Sequence, residues 1–308
     1  MVLPGGETTF IGDGGLETTM IFERGIDLPE FASFQLLDDE RGRAALRAYY
    51  QDFIDLAARH GVGFTLDTPT WRASHNWAER LGRSDAEIGD RNREAVELGL
   101  ALREERGGEA PIAVCGTLGP EGDAYRPARF LAPEEAAAYH APQVEALVAA
   151  GADMIAAYTL SYVDEAIGIV RAAAAVGAPV SISFTVETDG RLPDGEPLAE
   201  AVERLDAETA AGAAYLMVNC AHPSHFGPEL ETGGAWRKRI AGIRANASRR
   251  SHAELDASPD LDSGDPDELA GEYRKLVDAL PSLSVLGGCC GTDARHVAAI
   301  CSACLSRA

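Results

Sequence analysis

The sequence predicts an α/β protein built as a single (β/α)8 TIM barrel over residues 1–308. Three observations carry that expectation. Short apolar runs alternate eight times with longer stretches rich in Ala, Glu and Arg, the mark of strands alternating with helices. The strands are apolar throughout instead of alternating, as parallel strands buried on both faces must be. Several helices close on glycine and enter a strand at once, the short connection typical of parallel-sheet proteins. An open doubly wound sheet is the rival, but no Gly-x-Gly-x-x-Gly follows the first strand, so a dinucleotide fold has no specific support.

In order, residues 9–12 form the first strand and 40–59 the first long helix, which closes at His60-Gly61 before strand 63–67. Ser84-Asp85 supplies acceptors for the free N–H groups of helix 84–106, and strand 112–116 follows. Helix 133–150 closes on Gly151 before strand 153–157, and helix 164–175 precedes strand 180–184. Helix 198–211 closes on Gly212 before strand 215–219, and a short helix over 234–240 precedes strand 242–245. Residues 248–266, the segment poorest in apolar side chains, read as a long loop after strand seven, a plain surface loop ahead of the alternative of a lid. Asp265-Pro266 then starts helix 267–279, strand 284–286 follows, and Thr292-Asp293 opens the last helix, 293–304.

Composition narrows the function. A formal charge of −22 argues against nucleic acid, whose phosphates need Lys and Arg, and reads as solubility spread along the chain. No segment approaches the ~20 apolar residues of a membrane span, and the N-terminus lacks the basic start and apolar stretch of a secretory signal. Six cysteines in 308 residues do not make a disulfide scaffold, and a cytoplasmic location would keep them reduced. The oligomeric state is not encoded in any feature of this kind.

The most informative residues are thiols. Cys289 and Cys290 are adjacent inside Gly287-Gly288-Cys289-Cys290-Gly291-Thr292, and Cys220 ends the sixth strand. A vicinal pair of small side chains has little packing purpose. Strands six and eight open onto one mouth of a barrel, where catalytic groups gather, so three thiolates from their C-terminal ends can converge on one Zn²⁺ and leave its fourth position free. The flanking glycines permit the sharp turn that such convergence needs. Cys301 and Cys304 lie in helical register and are expected to pack, as is Cys115. A redox-active vicinal pair without metal is the alternative chemistry.

Around these thiols the chain resembles the homocysteine S-methyltransferase family. Asp13-Gly14-Gly15 after strand one is similar to that family's opening turn, and Gly116-Thr117-Leu118-Gly119-Pro120-Glu121-Gly122 to its Gly-x-x-Gly-Pro loop. Ser183-Phe184-Thr185 with Asp189-Gly190-Arg191-Leu192-Pro193-Asp194-Gly195 resembles its strand-five segment. Val218-Asn219-Cys220 and the Gly-Gly-Cys-Cys-Gly-Thr stretch resemble its zinc signature, and the likeness runs from residue 10 to about 300. The resemblance implies zinc on Cys220, Cys289 and Cys290, and homocysteine as the thiol acceptor. It further implies a cationic sulfonium or ammonium methyl donor, with Asp13, Gly14 and Gly15 holding the acceptor's amino-acid end. Asp67, Thr185 and Asn219 would also face substrate.

Two departures bear on the substrates. Tyr158 stands on strand four where the family places a Glu that binds the amino group, so ammonium recognition is weaker or moved, with Asp13 and Asp67 as substitutes. Trp71-Arg72 follows strand two, where Trp71 can pack on a cationic methyl group and Arg72 can meet a carboxylate. A different thiol acceptor, or a zinc- and thiol-binding barrel without catalysis, are the other readings.

Overall fold

The computed structural model describes residues 2–108 and 110–305, so the extremes of the expected 1–308 barrel lie outside the described residues. Eight parallel strands close in chain order: β1 (Phe10–Ile11), β2 (Gly63–Asp67), β3 (Ile112–Leu118), β4 (Met154–Leu160), β5 (Val180–Phe184), β6 (Tyr215–Asn219), β7 (Ile240–Ala245) and β8 (Val285–Gly288). β8 pairs back onto β1, so no edge remains. Every strand residue is buried. Inward side chains such as Phe10, Cys115, Met154, Tyr215 and Met217 fill the barrel, and outward ones meet the helices. That double burial is why the runs are apolar throughout.

The helix starts follow their side-chain acceptors. Ser84 accepts from the Glu87 N–H while the Glu87 carboxylate returns to Ser84, fixing the start of Asp85–Arg106. Asp265 and Asp293 do the same work for Pro266–Ala279 and Ala294–Cys304. Gly61 closes Glu40–His60 in the left-handed conformation, φ 65°. On Ala294–Cys304 the Cys301 and Cys304 side chains are buried.

Three expectations are corrected. The helix between β6 and β7 is Pro223–Glu231, with only a 3₁₀ turn at Ala235–Arg239 in place of a helix over 234–240. His222 caps the Ser224 N–H and Pro223 suits a first turn, so the helix begins earlier; Gly233 and Gly234, at φ 97° and 109°, then end it. Before β6 the helix stops at Thr209, and the left-handed positions fall on Ala210 and Ala211 instead of Gly212. Gly212 is needed for space, because a Cβ there would lie 2.9 Å from the Thr209 carbonyl oxygen. The segment expected as a plain surface loop after β7 contains the helix His252–Asp256. Among the described residues no helix is long and apolar enough to cross a membrane.

Candidate active site

Two left-handed residues at strand ends shape the C-terminal mouth. Thr159 near the end of β4 has φ 63°, and Cys220, one residue past β6, has φ 57°. Such conformations cost on the order of 1–3 kcal/mol and persist where surrounding bonds over-determine them. Asn219 supplies those bonds at Thr159. Its Oδ1 accepts from the Thr159 N–H (2.9 Å) and the Ser183 hydroxyl (2.7 Å), and its Nδ2 donates to the Thr159 hydroxyl (2.9 Å). At Cys220 the backbone N–H donates to the Arg244 carbonyl (3.0 Å), and the carbonyl accepts from Asn246 Nδ2 (2.9 Å).

From β8, the Cys289 N–H donates to the Ala245 carbonyl (2.8 Å) and the Cys290 carbonyl accepts from Ala247 N–H (3.1 Å), tying the vicinal pair to the end of β7. Gly15 packs so closely that a Cβ there would lie 2.7 Å from the Cys289 carbonyl oxygen. The result is a meeting of sulfurs: Cys220 Sγ is 2.9 Å from Cys289 Sγ and 3.7 Å from Cys290 Sγ, and all three lie within 4.8 Å of one another. Hydrogen bonding with the Cys220 and Cys290 sulfurs holds the Cys289 thiol well below its ordinary value, and the same bonding pushes the other two up. Three thiol groups converging this way form a donor set that could hold a metal ion.

The sulfurs open into a cavity of about 440 Å³. Of the residues singled out from the sequence, Asp13, Gly14, Gly15, Asp67, Trp71, Arg72, Tyr158 and Asn219 line it together with the three cysteines. Thr185 does not belong to that lining; it is fully buried beyond β5, its N–H donating to the Leu160 carbonyl (3.0 Å). Tyr158 donates its hydroxyl to Asp67 Oδ2 (3.0 Å), and Trp71 Nε1 donates to the Tyr158 carbonyl (3.3 Å). The Arg72 guanidinium sits 3.8 Å from the Trp77 ring centre and 4.9 Å from that of Trp71, with Nη1 donating to the Glu30 carbonyl.

Sequence reasoning missed the side chain that organises this wall. Arg244, in β7, is buried and grips both Asp13 Oδ1 and Asp67 Oδ2. Burial pushes the Asp67 carboxyl up to about 7 despite the Tyr158 hydrogen bond, and lowers Arg244, which stays charged. A lone arginine within an apolar strand was the available signal, since such a charge is almost never buried without a partner. Also missed were Glu17, Tyr125 and His252. The Tyr125 ring lines the cavity and stacks on that of His252 at 3.8 Å between centroids. His252, Leu255 and Leu261 bring the segment after β7 over the cavity, so it walls the site.

Comparison with known proteins bears directly on these features. The family model for homocysteine S-methyltransferase matches residues 10–304. The homocysteine S-methyltransferase of Escherichia coli K12 is 30% identical over 230 residues, 67% of this chain and 68% of that protein. Betaine–homocysteine S-methyltransferase 1 of Mus musculus is 28% identical over 175 residues, 51% of this chain and 41% of that protein. Among solved structures, the metallated form of the homocysteine methyltransferase MmuM from Escherichia coli shares the fold, with TM-score 0.73, 23% identity and 96% of each chain covered.

Proposed function

This chain belongs to the homocysteine S-methyltransferase family, and from that premise we propose that it moves a methyl group from a sulfonium or quaternary ammonium donor to homocysteine, giving methionine. The observation that carries the reading is the convergence of Cys220, Cys289 and Cys290 at the floor of a cavity with no fourth protein ligand beside them among the described residues. Three soft sulfur donors with a free side suit catalytic Zn²⁺ better than a closed structural site or a hard cation. Bound there, zinc would supply deprotonation of an incoming thiol at neutral pH.

The rest of the chemistry falls to the chain. Three cysteine thiolates concentrate negative charge at the floor and so favour an electron-rich acceptor sulfur. That sulfur attacks the donor's methyl carbon as the old sulfur–carbon or nitrogen–carbon bond breaks, and the donor leaves neutral. Opposite charges are cancelled as the transition state forms, which a water-poor site favours over bulk water. Leu16, Trp71 and the Tyr125–His252 stack provide that exclusion. No side-chain base is required. A cytoplasmic setting fits, because the site needs its cysteines reduced.

The test is direct: zinc-loaded protein with homocysteine is offered S-methylmethionine, betaine or S-adenosylmethionine, and methionine is read by mass spectrometry. Methionine formed from at least one donor, and lost on chelation, is expected. Absence of methionine with every donor would overturn the proposal.

A further inference from the structure

The cavity's carboxylates are not equally free to meet a ligand. Arg244 has five N–H donors, and the protein uses them all. Nε donates to the Gly288 carbonyl (3.0 Å), Nη1 reaches Asp67 and the Tyr158 hydroxyl, and Nη2 reaches Asp13 and the Gly14 carbonyl (3.3 Å). Asp13 and Asp67 therefore share one guanidinium already, and Asp67 Oδ1, which has no hydrogen-bond partner, is buried out of contact with solvent. A substrate ammonium would have to compete with a buried, fully bonded arginine for either carboxylate.

Five other charged side chains line the same cavity with no ion pair among the described residues; Asp123, Asp256 and Asp260 are exposed, whereas Glu17 and Arg72 are half-buried. Glu17 lies on the short helix Leu16–Thr18 that continues the Asp13-Gly14-Gly15 turn, and only its Oε1 is engaged, by the Ser33 hydroxyl (2.7 Å). Arg72 lies over Trp77 and Trp71 with one Nη1 bond to a backbone carbonyl. Neither forms an ion pair with the other or with any described residue, though each feels the other's field and Glu17 feels the charge of Cys289. Burial raises the Glu17 carboxyl and lowers Arg72, so both gain from an incoming countercharge.

We propose that Glu17 and Arg72 are the pair that reads the α-amino-acid head of the thiol acceptor, Glu17 taking its ammonium and Arg72 its carboxylate. The inference rests on the methyl-transfer reading of the same cavity. The acceptor's sulfur must sit at the three cysteines, so its head reaches only the adjoining walls. The wall that carries Glu17 is the one packed against the Cys289 backbone through Gly15. Recognition of the amino group thus moves off β4, where Tyr158 carries no charge, and onto the turn after β1.

Calorimetry on zinc-loaded protein tests this with three thiols: homocysteine, mercaptobutanoate (no ammonium) and mercaptopropylamine (no carboxylate). Wild type should prefer homocysteine to both. Glu17→Gln should weaken homocysteine about tenfold or more and leave mercaptobutanoate unchanged. Arg72→Gln should weaken homocysteine and mercaptobutanoate and spare mercaptopropylamine. Bound zinc and thermal midpoint control for folding, and the wild-type ranking needs no variant. Equal wild-type affinity for the three thiols, or unchanged homocysteine affinity in either variant, overturns the pair. So does a rise in donor KM alone, which would assign the pair to the donor. If wild type binds none of the thiols, the methyl-transfer reading itself fails.

Discussion

Arg244→Met removes the guanidinium between Asp13 and Asp67 while keeping an unbranched stem of similar length. Arg244 and both carboxylates are under one-tenth exposed, so water cannot substitute for the lost charge. Breaking a buried pair from one side costs roughly 3–5 kcal/mol, because the stranded charge stays desolvated. For a chain of 308 residues that is a fall in thermal midpoint of roughly 5–8 °C. The pH dependence has a definite sign. Burial raises the Asp67 carboxyl from 3.8 to about 7, so its favourable contribution is complete below 3.8 and is lost as pH rises through 7. Without Arg244 nothing offsets the ionised form, so the variant's deficit should be widest above pH 7 and narrow toward acid. Thermal unfolding of both proteins followed by circular dichroism at about pH 8 and about pH 5 measures it. A deficit below ~1 kcal/mol, or one equal at the two pH values, would refute a buried, charge-paired trio.

Replacing Cys220, Cys289 or Cys290 with Ala should abolish bound zinc and turnover together, measured by metal analysis and methionine formation; retained turnover in any one would remove that residue from the site. Asn219→Ala strips three hydrogen bonds from Thr159 and Ser183 and strands the Thr159 N–H, so denaturant unfolding should show a loss of about 1–3 kcal/mol. A loss within error would mean that the left-handed turn holds itself. Gly15→Ala should push the Cys289 backbone away and raise the zinc dissociation constant, measured by chelator competition; unchanged affinity would mean that the turn after β1 does not position the pair.

The barrel was legible because its signals are local. An apolar run that follows a helix-closing glycine is read as a strand without knowing its neighbours, and β2, β5 and β6 have the expected limits. The helix Pro223–Glu231 escaped because its cap is a histidine, outside the usual Ser, Thr, Asp and Asn, and a second proline, Pro228, lies inside it. The sulfur cluster was legible because a vicinal pair in a glycine clamp has no other economical use. Arg244 was not: it is intelligible only once β1, β2 and β7 bring Asp13 and Asp67 to its two ends, residues 231 and 177 positions away. Glu17 is a similar case, since one acidic residue after a glycine turn looks like surface until the cavity is known.

Zinc K-edge absorption spectroscopy of the zinc-loaded protein, before and after homocysteine, tests the central claim most directly. The account predicts one zinc per chain with three sulfur neighbours, rising to four when homocysteine binds. A sulfur count that stays constant on adding homocysteine, or a protein that takes up no zinc while its three thiols are reduced, would contradict it.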